Sequence, residues 1–196
     1  MPLYTVLGVD PSLNGTGLVL VSSDLVATHK KIALPSGGDV NAKLERIFSS
    51  TEDILIGKSP LLCAIEGPSH GSASRQHTLG QVAGVLRLAA IRKGIPLLTI
   101  PPKSMKLAVV GSGSASKEDV ADCVNQILRN ALPQDTDVTD AAGLALVGLQ
   151  VANRLCKLSL ELPVTRQSLE TCIKLIRSKE HKGLKAALRR RINAVS

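Results

Sequence analysis

The sequence predicts an α/β fold: an antiparallel strand meander, then strands alternating with helices, in one mixed sheet with helices packed on it. Three observations carry this. Residues 3–10, 15–22 and 25–34 read as strands with short links, the pattern of a meander. After the break at Pro35-Ser-Gly-Gly, apolar runs at 61–66 ("LLCAIE") and 95–100 ("IPLLTI") are separated by stretches with helical spacing of apolar residues. Strands in succession followed by strand–helix alternation build a mixed sheet covered by helices.

The elements follow in order. Ser12-Leu-Asn-Gly turns the chain between the first two strands. Val40, Leu44, Ile47 and Ile54 place a helix over 40–56, and a second helix spans 75–93. Short helices are expected from Lys103 to Val109 and from Lys117 to Leu132, the latter opened by a Ser116/Asp119 capping pair. A long helix runs from about Asp137 to Leu155, and two more helical patterns cover 167–179 and 182–193.

Composition narrows the function. The chain has 196 residues, no Trp, one Phe and one Tyr, so its core is aliphatic and few aromatic platforms exist for stacking bases. Cys63, Cys123, Cys156 and Cys172 are scattered among apolar residues without a C-x-x-C pair, which reads as reduced core thiols. The chain does not open on a basic stretch followed by a long apolar one, and no apolar stretch is long enough for a bilayer. A cytoplasmic protein without a membrane partner is expected, in a bacterial cell or, if phage-encoded, in its host. Net charge is +8, and residues 157–196, with ten Lys/Arg against three Glu, carry +7 of it. The chain thus divides into a body, 1–156, and a basic helical extension, 157–196. A tail of this kind suits a polyanion, nucleic acid first.

The carboxylates carry the chemistry. Asp10 closes the apolar run "LYTVLGV", and Glu66 closes "LLCAI". Both stand where buried strands run out, the edge at which open α/β sheets place ligands. At 100° per residue, Asp137, Asp140, Leu144, Val147 and Val151 share one face of the long helix, so the two aspartates point at the sheet. Each acid has a local alternative: Asp137 as an N-cap, Asp140 favoured by the helix dipole, Asp10 as a turn residue, Glu66 paired with an Arg. Together they make a cluster of like charges that burial penalises and a divalent cation relieves. Hard oxygens without His or Cys favour Mg²⁺, with Mn²⁺ as substitute. Four carboxylates suit two ions about 4 Å apart on a phosphate, which implies phosphodiester hydrolysis leaving a 5′ phosphate.

"GVDPSLNGTG", "AIEGP", "MKLAVVGSGSASKEDV" and "DVTDAAGLAL" occur in the order and spacing of the RuvC family, and residues 4 to about 155 resemble it. These are Holliday-junction resolvases of bacteria and bacteriophages. The resemblance implies an RNase H-like, five-stranded mixed sheet with helices on both faces. It maps the family's four acidic ligands of two metal ions onto Asp10, Glu66, Asp137 and Asp140. It further implies a homodimer that nicks opposed strands of a four-way junction symmetrically. Lys106 and Lys117 match two basic residues of the family that serve catalysis and DNA binding. Lys103 is a weaker DNA-binding candidate, with Arg75 and His70 beside it. "QHTLGQVAGVL" sets Gly80 and Gly84 one turn apart, which fits a dimer helix or tight packing within the domain.

The sequence departs from the family where an aromatic residue often follows the strand-end glutamate. Ser69 and His70 stand there instead. Other readings are a broader fork or flap nuclease, or a non-catalytic junction-binding module, against which retention of all four acids counts. The first motif also resembles the phosphate loop of actin-like ATPases and sugar kinases, but the chain is half the length those need. "GSGSASKE" fails as a Walker A loop at Ser116 and Glu118. A branch-migration motor is compatible with the resolvase reading, though nothing in the sequence shows one.

Overall fold

A computed structural model describes residues 3–68, 72–163 and 165–195, with the side chains of Arg75, Arg166 and Val195 outside the description. The meander forms as expected: β1 (Thr5–Asp10) pairs antiparallel with β2 (Gly15–Ser22), and β2 with β3 (Ala27–Ala33). Helix α1 (Val40–Ile54) leads to β4 (Leu62–Glu66), which joins β1 in parallel. Helix α2 (Ala73–Arg92) then leads to β5 (Leu97–Ile100), parallel to β4, so the strand order is β3-β2-β1-β4-β5. The chain continues through α3 (Pro102–Val109), α4 (Lys117–Ile127), α5 (Thr136–Cys156), α6 (Arg166–Arg177), a 3₁₀ turn (Lys179–His181) and α7 (Leu184–Val195).

Strand alternation explains why both faces are covered. Val6, Ala64 and Leu98 face a core completed by α5 and its neighbours, while Leu7, Val9, Leu18 and Ile65 face Ile47 of α1 and Val82 and Leu86 of α2. Three helices end two or more residues earlier than their periodicity predicts, α1 at Ile54 rather than 56, α6 at Arg177 rather than 179, and α4 by the most. Helix α4 stops at Ile127 rather than Leu132, and Leu128 is extended. The chain unwinds there because Asn130 pairs with the sheet edge: its side chain accepts from Ala27 N at 2.7 Å and donates to Ala27 O at 2.9 Å.

Helix α5 is buried on nearly every side rather than along a single stripe. It lies on the sheet at backbone contact distance. A Cβ on Gly8 would meet Ala141 O at 1.8 Å, and one on Gly17 would meet Asp137 O at 2.0 Å. Only glycine admits an approach this close. The tail is part of the same body of packing. Cys172, Leu175, Leu184 and Leu188 are buried in the core that α5 organises. His181 accepts from Thr99 N at 3.1 Å through Nε2 and donates to Leu175 O at 2.9 Å through Nδ1, which ties α6 to the edge strand β5. Arg191 donates to Pro60 O and Lys93 O at 3.2 and 3.1 Å. The four cysteines are free thiols, and among the described residues no helix is long and apolar enough to cross a membrane.

The contact at Gly8 leaves no room for adjustment, because the opposing atoms are backbone. Gly8→Ala is therefore expected to destabilise the protein by about 3 kcal/mol, the upper end of ordinary overpacking. Denaturant melts of both proteins measure this, and equal midpoints would contradict the placement of α5.

Candidate active site

Asp10 and Glu66 are the last residues of β1 and β4, adjacent parallel strands that run out at one sheet edge. Helix α5 runs antiparallel to β1, so its first turn lies over that edge, and Asp137 and Asp140 come down onto it. The N-cap of α5 is Asp135, whose side chain accepts from Asp137 N and Val138 N. The local alternative for Asp137 thus falls to Asp135: with the cap supplied two residues earlier, the Asp137 carboxylate lines the cleft. Glu66 has no arginine partner among the described ion pairs, and on α2 Arg87 donates to Thr99 Oγ1 at 2.9 Å while Arg92 pairs with Glu52. Asp10, Glu66, Asp137 and Asp140 line a single cleft of about 710 Å³ together with Asn14, Lys106 and Lys117.

The electrostatics are those of crowded acids. Burial, then repulsion from Glu66, Asp140 and Asp137, raises the Asp10 pKa to about 9. Burial and Asp140 raise Glu66 to about 7, against a hydrogen bond that its carboxyl shares with Asp10. Burial also raises Asp140, against the pull of Lys117 and Lys106. One oxygen of Asp140, Oδ1, is buried with no hydrogen-bond partner.

Lysines counter the remaining charge. Lys117 Nζ lies 3.8 Å from Asp140 Oδ2 and donates to Thr136 Oγ1 at 3.3 Å. Lys106 donates to Ala115 O, which holds the loop before α4 against α3. Sequence reasoning missed Lys31. Its ammonium bridges Asp135 and Asp137, at 3.0 Å from Asp137 Oδ2. Lys31 pairs in register with Gly17, and a Cβ on Gly15 would meet Asp137 Oδ2 at 2.6 Å. The signal was the Gly15/Gly17 spacing: two glycines on one strand face mark a close approach, and an exposed cation on the next strand reaches what approaches.

The other candidates fall elsewhere. Lys103 faces a separate groove rather than the acidic cleft. His70, with Ser69, lies outside the described residues, and Arg75 belongs to α2 with its side chain outside the description.

Among the described residues no three Asp, Glu, His or Cys side chains stand as a ready cation site. The donor set still fits a hard divalent ion. It is all oxygen, three of its members, Asp10, Glu66 and Asp140, are raised by burial and crowding, and one Asp140 oxygen is buried without a partner.

A sheet of this order, with acids at the ends of β1 and β4 and at the start of α5, defines an RNase H-like nuclease fold. The family model described as crossover junction endodeoxyribonuclease RuvC matches residues 6–148. Proteins of that name from Cytophaga hutchinsonii and Rhodococcus opacus are 37% and 36% identical over 147 and 149 residues, covering 72% of this chain and 74% and 78% of theirs. The structure of Thermus thermophilus RuvC in complex with a Holliday junction substrate superposes with a TM-score of 0.66 at 26% identity, covering 72% of this chain and 90% of that one. The chain belongs to the RuvC family of crossover junction endodeoxyribonucleases. Nucleases of this family depend on divalent metal.

Acids held above their unfolded pKa stabilise the fold while protonated and lose that contribution as pH rises through the folded value. The metal-free protein is therefore expected to lose stability between about pH 4, where the unfolded carboxyls ionise, and about pH 9, as Glu66 and then Asp10 ionise in the fold. Millimolar Mg²⁺ should flatten that decline. Thermal melts across the range, with and without the ion, measure both effects, and a melting temperature that rises with pH in the absence of metal would contradict the site.

Proposed function

We propose that the chain resolves four-way DNA junctions by paired symmetric nicks, with Mg²⁺ as its ion and two ions per site. The observation that carries this is the convergence of Asp10, Glu66, Asp137 and Asp140, from three separate elements, on one cleft flanked by Lys106 and Lys117. The resolved relative bound to a Holliday junction supports the substrate class. The four acids would hold the ions, which when bound polarise the scissile phosphate and lower the pKa of the attacking water. The protein's own residues do the rest. Lys117 on the cleft wall offers charge to the phosphate and releases Asp140 as it does so. Lys106, now on Ala115 O, stands ready to follow. Lys31 fixes the direction from which Asp137 enters the cleft. Residues 1–156 form the nuclease body, and 157–196 extend it. Such an enzyme acts on DNA in the cytoplasm.

The homodimer is built on α2. Gly80, Gly84, Leu88 and Ile91 form one exposed stripe along it, with nothing within 4 Å of a Cβ at either glycine. Leu88 and Ile91 are 50% and 59% exposed. Packing within the domain does not use these glycines, so the close approach they permit is open to a second copy.

Asp10→Asn is expected to reduce junction cleavage by at least about 100-fold, as loss of several kcal/mol of metal stabilisation requires, while junction binding persists. A panel of labelled junctions, forks, flaps and plain duplex, with and without Mg²⁺, measures this. Unimpaired cutting by the variant removes the site assignment, and equal cutting of forks and flaps makes the enzyme a general branch nuclease. Gly84→Leu should convert the dimer to monomer in sedimentation velocity; an unchanged sedimentation coefficient places the interface elsewhere.

A further inference from the structure

We propose that the groove between α3 and α6 is a second DNA-backbone site, which carries the arm leaving the catalytic cleft. This rests on the junction reading above. Lys103, Ser104 and Leu107 form one wall of a space of about 380 Å³, and Thr171, Lys174 and Ser178 form the other.

Helix α3 separates this groove from the acids. Its Pro102 and Lys106 line the catalytic cleft, and its Lys103 and Leu107 line the groove. Both spaces open at the edge where the parallel strands end, because Pro101, also in the groove, follows the last residue of β5. A helix is about 10 Å across, the length of about three base steps of duplex. A backbone leaving the scissile phosphate and crossing α3 thus arrives between Lys103 and Lys174, both exposed.

The floor offers a donor. The Thr171 hydroxyl is buried, lines the groove and has no hydrogen-bond partner among the described residues. A buried donor left unpaired is costly, and because this oxygen is sealed from solvent, a phosphate or its water satisfies it once the groove side chains around it shift. Glu180 lines the same space and repels phosphate, which ends the path at that side. The far wall is fixed in advance, since His181 holds α6 to Thr99 of β5.

The tail's charge is divided by this geometry. Arg189 sits beside Cys156 at the opposite end of α5, and Arg190 lies with Gly94 and Pro96, ahead of β5. Those cations face the sheet edge away from the acids. Helix α6 lies beyond the family-matched residues 6–148, so one wall of the groove belongs to the matched nuclease and the other to this chain's own extension.

Two charge-matched variants test the proposal: Lys103→Gln with Lys174→Gln, and Arg189→Gln with Arg190→Gln. Binding to an intact four-way junction and to plain duplex is measured against salt without divalent metal, with hydroxyl-radical footprints on the arms. The groove pair removes two lysines from each protomer, so in the dimer it should lower the slope of log K against log salt by about 4, at about 0.9 per phosphate contact, and shorten protection along one arm per protomer. The α7 pair should leave both unchanged. If the groove pair melts below the parent, Lys174→Gln alone, lost from both protomers, should lower the slope by about 2. Equal slopes for the two pairs, or an unaltered footprint in the groove pair, overturn the proposal. A parent that does not prefer the junction to duplex overturns the functional reading instead, and the groove is then judged on duplex alone.

Discussion

The close contact of α5 with β1 and β2 is the constraint on which the rest of this structure depends. Two glycines, Gly8 and Gly17, let the helix backbone touch the sheet backbone. A helix at ordinary distance would hold Asp137 and Asp140 well above the strand ends. At this distance the first turn of α5 puts them in the same cleft as Asp10 and Glu66. The same contact makes the cleft crowded, because like charges are gathered where water is scarce. Local choices that would destabilise an ordinary core are concentrated here, as is usual at a working site.

The metal-free protein meets that crowding in two ways. Burial and repulsion raise the pKa values of Asp10 and Glu66, which favours the neutral form of that pair. Lysines neutralise the outer acids, Lys31 at Asp137 and Lys117 at Asp140. These devices are reversible, since long flexible cations and titratable protons both yield to a divalent ion. Asp135 contributes by taking over the helix cap, which leaves Asp137 available.

The C-terminal segment changes the picture that charge alone draws. Its ten basic residues look like a solvated polyanion-binding tail. Its apolar residues say otherwise, with Leu175, Leu184 and Leu188 sunk in the main core. Helix α6 is therefore a wall of the body, and its cations are aimed by packing rather than by chain flexibility. The His181 contacts with β5 and Leu175 make that wall rigid while covering a backbone donor on the edge strand.

The sequence by itself determined the strand meander, the alternation that follows it and the four acids, because these are local signals: period-2 and period-3.6 apolar spacing, and carboxylates ending apolar runs. It also determined the cap of α4, where Ser116 and Asp119 bond reciprocally as their spacing predicts. Only the tertiary structure decided which residues face those acids. Lys31 reaches Asp137 because strand register sets it beside Gly17, 120 residues from Asp137 in sequence order, and register is a property of paired strands. The early end of α4 was hidden for the same reason, since Asn130 leaves the helix for a partner about a hundred residues away. The two walls of the α3–α6 groove are likewise distant in sequence and meet only through the core. Residue spacing fixes which side of an element a group occupies; packing of elements fixes what it meets there.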